Sequence, residues 1–294
     1  MEYRESNNMT IEINYRDNES LRYYFNELAG KVFGGLNFEG WYRNGFWKDN
    51  YIPYSVVADG KIVSNVSVNT CDMNYDGRIV KLIQLGTVMT DPDYRGRGYA
   101  RMLMEKIVED YENKVDGIYL FANDSVVDFY PKFGFRKMRE YQYSKAVKID
   151  AERTAQLVPM SEKRDWDKMV QILNKTEQNA KMYMVSNSGL YMFYLSQFMQ
   201  ENTFYIADCD SYAIAEIESD TLILHAVIGS SELDRVIAAF GKEIKKVILA
   251  FTPKDSTGYD KSVVAEEDTH LFVRGKFFDD TNDDEFMFQA ITHA

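Results

Sequence analysis

From Leu85 to Arg101 the chain reads LGTVMTDPDYRGRGYAR, an apolar strand pattern that runs through Asp91-Pro92 into a basic loop interrupted by Gly96 and Gly98. Glycine at those two places lets the backbone turn its N–H groups toward one point and lets a ligand come close. A helix starting near Gly98 adds the positive end of its dipole. This is the layout of an anion site, suited to a pyrophosphate. Ala100, Leu103, Met104, Ile107, Val108 and Tyr111 recur with the period of a helix that packs one face on a sheet. The phosphate-binding end is therefore rigidly held, and the chain must supply a sheet for that helix to rest on.

Such a sheet is legible on both sides. Residues 10–15 alternate as a first strand, and Asp17 or Asn18 can cap a helix reaching about Phe33, where Gly34-Gly35 stops it. Asp59-Gly60 joins residues 54–58 to 62–69, and Asp76-Gly77 joins 71–75 to 79–89, because such turns supply positive φ at their central residues. The product is an antiparallel meander ending at the glycine loop. Gly86 inside its last strand marks a bulge or a close backbone approach. After the helix, Gly117–Ala122 reads as a buried parallel strand reached by a crossover. Asn123-Asp124-Ser125 offers a cap for a short helix ending near Tyr130-Pro131, and residues 133–147 hold the closing strand pattern.

Composition narrows the function. At 294 residues the chain has room for two domains with real cores. A net charge of −12 repels nucleic acid and acidic membrane surfaces and attracts a cationic partner, although acidity also serves solubility. No apolar run reaches bilayer-spanning length and Met1-Glu2-Tyr3-Arg4-Glu5 opens no signal segment, so a cytoplasmic protein is expected. Cys71 and Cys209 are the only cysteines and lack metal-ligand spacing, which leaves no expectation of a disulfide or a metal.

Arg95-x-x-Gly98-x-Ala100 resembles the (Gln/Arg)-x-x-Gly-x-(Gly/Ala) signature of the GCN5-related N-acetyltransferases. A second block follows in order: Asn123, then Phe129-Tyr130-Pro131-Lys132-Phe133-Gly134-Phe135, similar to the family's Asn…Phe-Tyr-x-Lys-x-Gly-Phe segment. The likeness covers residues from about 10 to 147. It implies an α+β acyl-CoA N-acyltransferase fold, a mixed, largely antiparallel sheet flanked by helices, with acetyl-CoA as co-substrate. By the same resemblance, backbone groups of Val88, Met89 and Thr90 hold the pantetheine arm where the strand splays from its neighbour. Arg95, Gly96, Arg97, Gly98, Tyr99, Ala100 and Arg101 hold the pyrophosphate. Asn123 belongs to the same site and can equally cap a helix. The aromatic segment 37–47 overhangs the acceptor pocket in that family, and its plainer reading is a loop covering the core edge.

Beyond Ile149 the order of elements repeats without the loop. A helix is expected over residues 161–180 and another over 190–199, then strands at 203–207, 212–217 and 222–228, a helix opening at Ser231-x-x-Asp234, and a strand at 246–251. Gly229-Ser230-Ser231 stands where the first half has its basic loop, and no tyrosine matches Tyr130. We therefore expect a catalytic domain over residues 1–148, a degenerate acetyltransferase-like domain over 149–294, and one acetyl-CoA site. The tandem arrangement and the ending FMFQAITHA resemble the branch of the enhanced-intracellular-survival acetyltransferases. The chain stops too early for the sterol-carrier-like domain of those proteins, so their aminoglycoside substrates do not carry over securely, and polyamines, aminoglycosides, amino acids and protein amines all stay open as acceptors.

Acetyl transfer needs a neutral amine, a stabilised oxyanion and a proton for the departing thiolate. The resemblance makes Tyr130 the general acid and the Val88 amide the group that polarises the thioester. The general base stays open among the α-carboxylate of Ala294, which the tandem relatives use, His293, Glu39 and water, while His225 and His270 read as structural. The acceptor is expected to be a primary amine of a small cationic molecule or a peptide, and self-association stays open. The competing reading is a non-catalytic acetyl-CoA sensor or partner-binding protein, for which the degenerate half speaks.

Overall fold

The computed structural model describes residues 9–175, 177–265, 267–281 and 287–293. In chain order the first half gives β1 (Met9–Ile13), α1 (Glu19–Val32), α2 (Glu39–Arg43), β2 (Tyr51–Ala58), β3 (Lys61–Tyr75), β4 (Arg78–Thr90), α3 (Tyr99–Tyr111), β5 (Gly117–Ala122), β6 (Arg136–Met138) and β7 (Tyr141–Ala146). The second half gives β8 (Gln156–Leu157), α4 (Lys163–Leu173), β9 (Met182–Met184), α5 (Ser188–Gln197), β10 (Thr203–Ile206), β11 (Ser211–Glu218), β12 (Thr221–Ile228), α6 (Leu233–Ala238), β13 (Lys246–Leu249), β14 (Asp260–Val263), β15 (His270–Arg274) and α7 (Lys276–Asp279).

Local chemistry accounts for the expected elements. Asn18 caps α1 by accepting from the Leu21 N–H. Both Asp-Gly turns take positive φ at each central residue, 52° and 75° at Asp59-Gly60 and 50° and 84° at Asp76-Gly77. The short helix foreseen after Asn123 is instead two 3₁₀ turns, Asp124–Val126 and Tyr130–Phe133. Pro131 explains this, since it lacks an N–H and disfavours α geometry in the residue before it.

Two sheets form, ordered β1-β2-β3-β4-β5-β15-β6 and β14-β7-β13-β12-β11-β10-β8, with β9 added to the far end of β3. They are built alike. Each has one parallel pair, β4 with β5 and β12 with β13. The place beside the parallel pair is filled from the other half of the chain. β15 lies between β5 and β6 in the first sheet, and β7 lies between β13 and β14 in the second. The chain path therefore crosses the boundary foreseen at residue 148 in both directions. Alternation identifies a strand, whereas the sheet it joins depends on a partner far away in sequence.

The first sheet is covered on both faces. Leu103, Met104 and Ile107 of α3 pack on Val66, Val68, Ile83 and Leu85. On the opposite face α1, α2, α5 and the segment around Phe288 and Ile291 form one core with Tyr51, Cys71, Leu82, Met89 and Tyr119. Phe278 of α7, fully buried, locks the exchanged C-terminal segment onto β5: a Cβ added to Gly117 would stand 2.6 Å from the Phe278 ring and 3.2 Å from Leu82. Gly117→Ala is expected to lower unfolding stability by about 1–3 kcal/mol in urea titration through overpacking. Unchanged stability would mean that residues 276–279 do not bind the first sheet.

Candidate active site

β4 and β5 pair only through residues 82–85 and 117–120. Beyond Leu85, β4 stays bonded to β3 alone, and the register slips between Asn65 and Ser67 so that Thr87 and Val88 together oppose Val66. Thr87 takes the left-handed conformation, φ 47°, and two side chains hold it there. Asn65 Nδ2 donates to the Thr87 carbonyl at 2.8 Å, and the Tyr51 hydroxyl lies 2.7 Å from Thr87 Oγ1. The bulge foreseen at Gly86 thus sits one residue later. It directs Val88 toward the α3 face and Thr87 toward the α1–α5 face, at the mouth of an opening between two parallel strands.

On the α3 face the glycine loop is complete. Asp91 accepts from the Asp93 N–H at 3.0 Å and receives Lys31 Nζ at 2.8 Å, which fixes the turn after β4. Gly96 and Gly98 have φ of 76° and 82°, and a Cβ at either would meet open space. Gly98 starts α3 with no capping side chain, so the N–H groups of the first turn, from Tyr99, Ala100 and Arg101, have no partner in the helix. Arg95, Arg97 and Arg101 are exposed around them, Arg97 lying over the Tyr94 ring at 4.6 Å. The loop fits a pyrophosphate by its open glycines, free amides and cations. Its counterpart before α6 does not: a Cβ on Gly229 would stand 2.3 Å from Ser211 Oγ.

Tyr130 lies on the same face, 3% exposed, its ring against Phe129, Phe135 and Phe272, and burial pushes its phenol up to about 12. Val88 packs against the same cluster. Asn123 is exposed and makes no cap; it accepts from Ser125 Oγ at 2.6 Å.

On the opposite face Thr87 borders a cavity of about 270 Å³. Phe38, Trp41 and Tyr51 wall it from the first half, and Leu190, Phe193 and Tyr194 of α5 wall it from the second. Of the aromatic segment, Phe38, Trp41 and Trp47 are core residues, and Phe38 and Trp41 line the cavity. Sequence reasoning found α5 but not its place at the site. The signal was its composition, LYMFYL, apolar all round and so bound to be covered on two sides.

The candidate bases separate. Glu39 accepts from Arg22 at 2.9 Å and Arg43 at 3.0 Å, and these guanidinium bonds, Arg22 foremost, hold its carboxyl below the usual range. His293 stacks on Phe121 at 3.6 Å, the first residue of β5 beyond its pairing with β4. Its Nε2 is buried without a hydrogen-bond partner, and burial, assisted by His225, pushes the imidazole down to about 3. The segment carrying it is a 3₁₀ turn, Ala290–Thr292, and Phe288 stacks on Tyr119 of the first sheet at 4.0 Å. Ala294 lies outside the described residues. His225 occupies the bulge of β12 with Glu216 at 3.3 Å, and His270 pairs with Asp124. Among the described residues no cluster of metal-ligating side chains occurs, and no helix is long and apolar enough to cross a membrane.

Residues 19–138 match a family model described as an acetyltransferase (GNAT) domain. A stretch of 49 residues is 43% identical to GCN5-related N-acetyltransferase 2, chloroplastic, of Arabidopsis thaliana; it covers 16% of this chain and only 19% of that protein. Among solved structures, a probable N-acyltransferase of Enterococcus faecalis V583 aligns with a TM-score of 0.58 at 14% identity, over 90% of this chain and 72% of its own. A GCN5-related N-acetyltransferase of Kribbella flavida aligns at 0.56 and 15%, over 91% and 71%. Eis1 of Mycobacterium abscessus aligns at 0.56 and 13%, over 88% and 73%. The likeness extends over both halves and is one of fold.

A valine at position 98 would put a β-branched side chain at φ 82° and into the open cradle. Gly98→Val is expected to cost about 1–2 kcal/mol of stability and to weaken acetyl-CoA binding by at least roughly 100-fold in calorimetry. Retained affinity in a folded variant would remove the loop from the site.

Proposed function

We propose, from the premise that residues 19–138 belong to the GNAT acetyltransferase family, that this protein moves the acetyl group of acetyl-CoA to a primary amine in the cytoplasm. The observation that carries the reading is the opening of β4 from β5 at the Thr87–Val88 bulge, with the glycine loop on one face and an aromatic cavity on the other. Backbone groups of Val88, Met89 and Thr90 receive the pantetheine, and the loop from Arg95 to Arg101, with Asn123 beside it, receives the phosphates. One acetyl-CoA site per chain accords with the filled space at Gly229.

In this reading the Val88 N–H stabilises the oxyanion formed when the amine attacks, a preorganised donor that needs no rearrangement. Tyr130 returns a proton to the thiolate as the tetrahedral intermediate collapses. Its raised pKa suits a group that must be protonated when the reaction starts. His293 stays a candidate for the amine's proton, although burial that pushes its imidazole down to about 3 makes it a weak base. Ala294 remains the other candidate for that proton. The amine arrives as a small cation, drawn by the acidity of the chain.

Tyr130→Phe keeps the ring and deletes the donor, so turnover should fall by about 10²–10⁴-fold with acetyl-CoA affinity unchanged. The sign of the shift gives a second expectation. A phenol raised to about 12 keeps its proton through the range where an ordinary tyrosine loses it, so kcat in the wild type should not decline with an apparent pKa near 10. Wild-type turnover in the variant would move the acid role to another group. Binding of acetyl-CoA without turnover of any amine would favour a sensor.

A further inference from the structure

Given acetyl transfer as the activity, the cavity facing Thr87 carries information about the acceptor. None of its lining residues is charged. Phe38 stacks on Phe193 with centroids 5.1 Å apart, and Trp41 meets Phe193 edge-on at 5.5 Å. The Trp41 indole N–H is committed to the Gly189 carbonyl at 2.8 Å. The polar atoms left to the cavity are the hydroxyls of Tyr51, Thr87 and Tyr194, and the first two bind each other at the bulge. Phe33 and Phe198 stand at its edge, 42% and 54% exposed, so the entrance is as apolar as the interior.

Size and charge together select an occupant. An apolar cavity of about 150 Å³ takes benzene, so about 270 Å³ holds a body of roughly ten non-hydrogen atoms. A second cationic group on the acceptor would lie among aromatic rings without a carboxylate, since the nearby Glu39 is held by Arg22 and Arg43. Cation–π attraction returns less than the loss of hydration removes. A single amino group is different, because the apolar wall favours its neutral, nucleophilic form and the hydroxyl pair at the bulge can accept its N–H.

We propose that the acceptor is a primary monoamine whose body is one aromatic ring, or an equal volume of hydrocarbon, seated between α5 and the aromatic segment with its nitrogen at the Tyr51–Thr87 hydroxyl pair. This rests on the transferase activity proposed for the chain. The amine nitrogen forms a bond to the thioester carbonyl carbon and the carbon–sulfur bond breaks. The amine loses one proton and the CoA sulfur gains one, giving an N-acetyl amide and free CoA thiol with no other reactant. The second half of the chain thereby acts in specificity, since α5 supplies one wall of the acceptor site.

The test is CoA-thiol release by the full chain at saturating acetyl-CoA, with 2-phenylethylamine, spermidine and kanamycin as acceptors. The expected result is a kcat/KM for 2-phenylethylamine at least about tenfold above the two polycations. Phe198→Asp changes an exposed side chain at the entrance. It should leave the unfolding midpoint and acetyl-CoA affinity unchanged, raise KM for 2-phenylethylamine about tenfold and improve spermidine. Preference for spermidine or kanamycin in the wild type, or an unaltered KM in Phe198→Asp, overturns this inference while the transferase reading stands. Acetyl-CoA binding with no turnover of any amine overturns both.

Discussion

Everything at the site depends on a two-for-one mismatch between β3 and β4. With Thr87 and Val88 both set against Val66, β4 turns away from β5 after Leu85, and two neighbouring residues face opposite sides of the sheet. Thr87 has a β-branched side chain in a left-handed conformation, which costs about 1–3 kcal/mol. Asn65 and Tyr51 hold it there by hydrogen bonds from fully or nearly fully buried positions. Strain of this kind persists only where the surroundings over-determine it, and here they leave a gap between parallel strands with unpaired backbone on its rim.

The two faces differ in chemistry. The α3 side is cationic and rich in backbone donors: open glycines, an uncapped helix start and three exposed arginines. The α5 side is aromatic and uncharged. A donor with phosphates and an acceptor with an apolar body would meet only at the opening. The second half lacks a counterpart of the glycine loop. Its sheet keeps the parallel pair and a bulge, at His225, but Ser211 fills the space beside Gly229, and α6 is six residues long where α3 is 13.

Sequence reasoning reached the features written in local chemistry. The helical period of Ala100 to Tyr111, the two Asp-Gly turns, the Asn18 cap and the glycine loop all appear where foreseen. Gly86 pointed to the bulge and missed it by one residue, because Asn65 and Tyr51, distant in sequence, stabilise positive φ at Thr87 instead. The exchange of β7 and β15 was not legible, since period-two alternation carries no record of the partner strand. Glu39 looked available in sequence, but Arg22 lies 17 residues before it and only folding brings the two to 2.9 Å. The aromatic wall from α5 was hidden for the same reason, although its unbroken apolar run shows that something must cover it.

If acetyl transfer occurs at the bulge, donor and acceptor must approach the opening from opposite faces of the first sheet, and a crystal structure of the protein with CoA tests that most directly. The predicted result is pyrophosphate oxygens on the amides of the loop between Arg95 and Arg101, the pantetheine arm along residues 88–90, and the sulfur at the gap beside Val88 with the aromatic cavity clear behind it. CoA bound with its pantetheine in the aromatic cavity, or away from the bulge altogether, would contradict it.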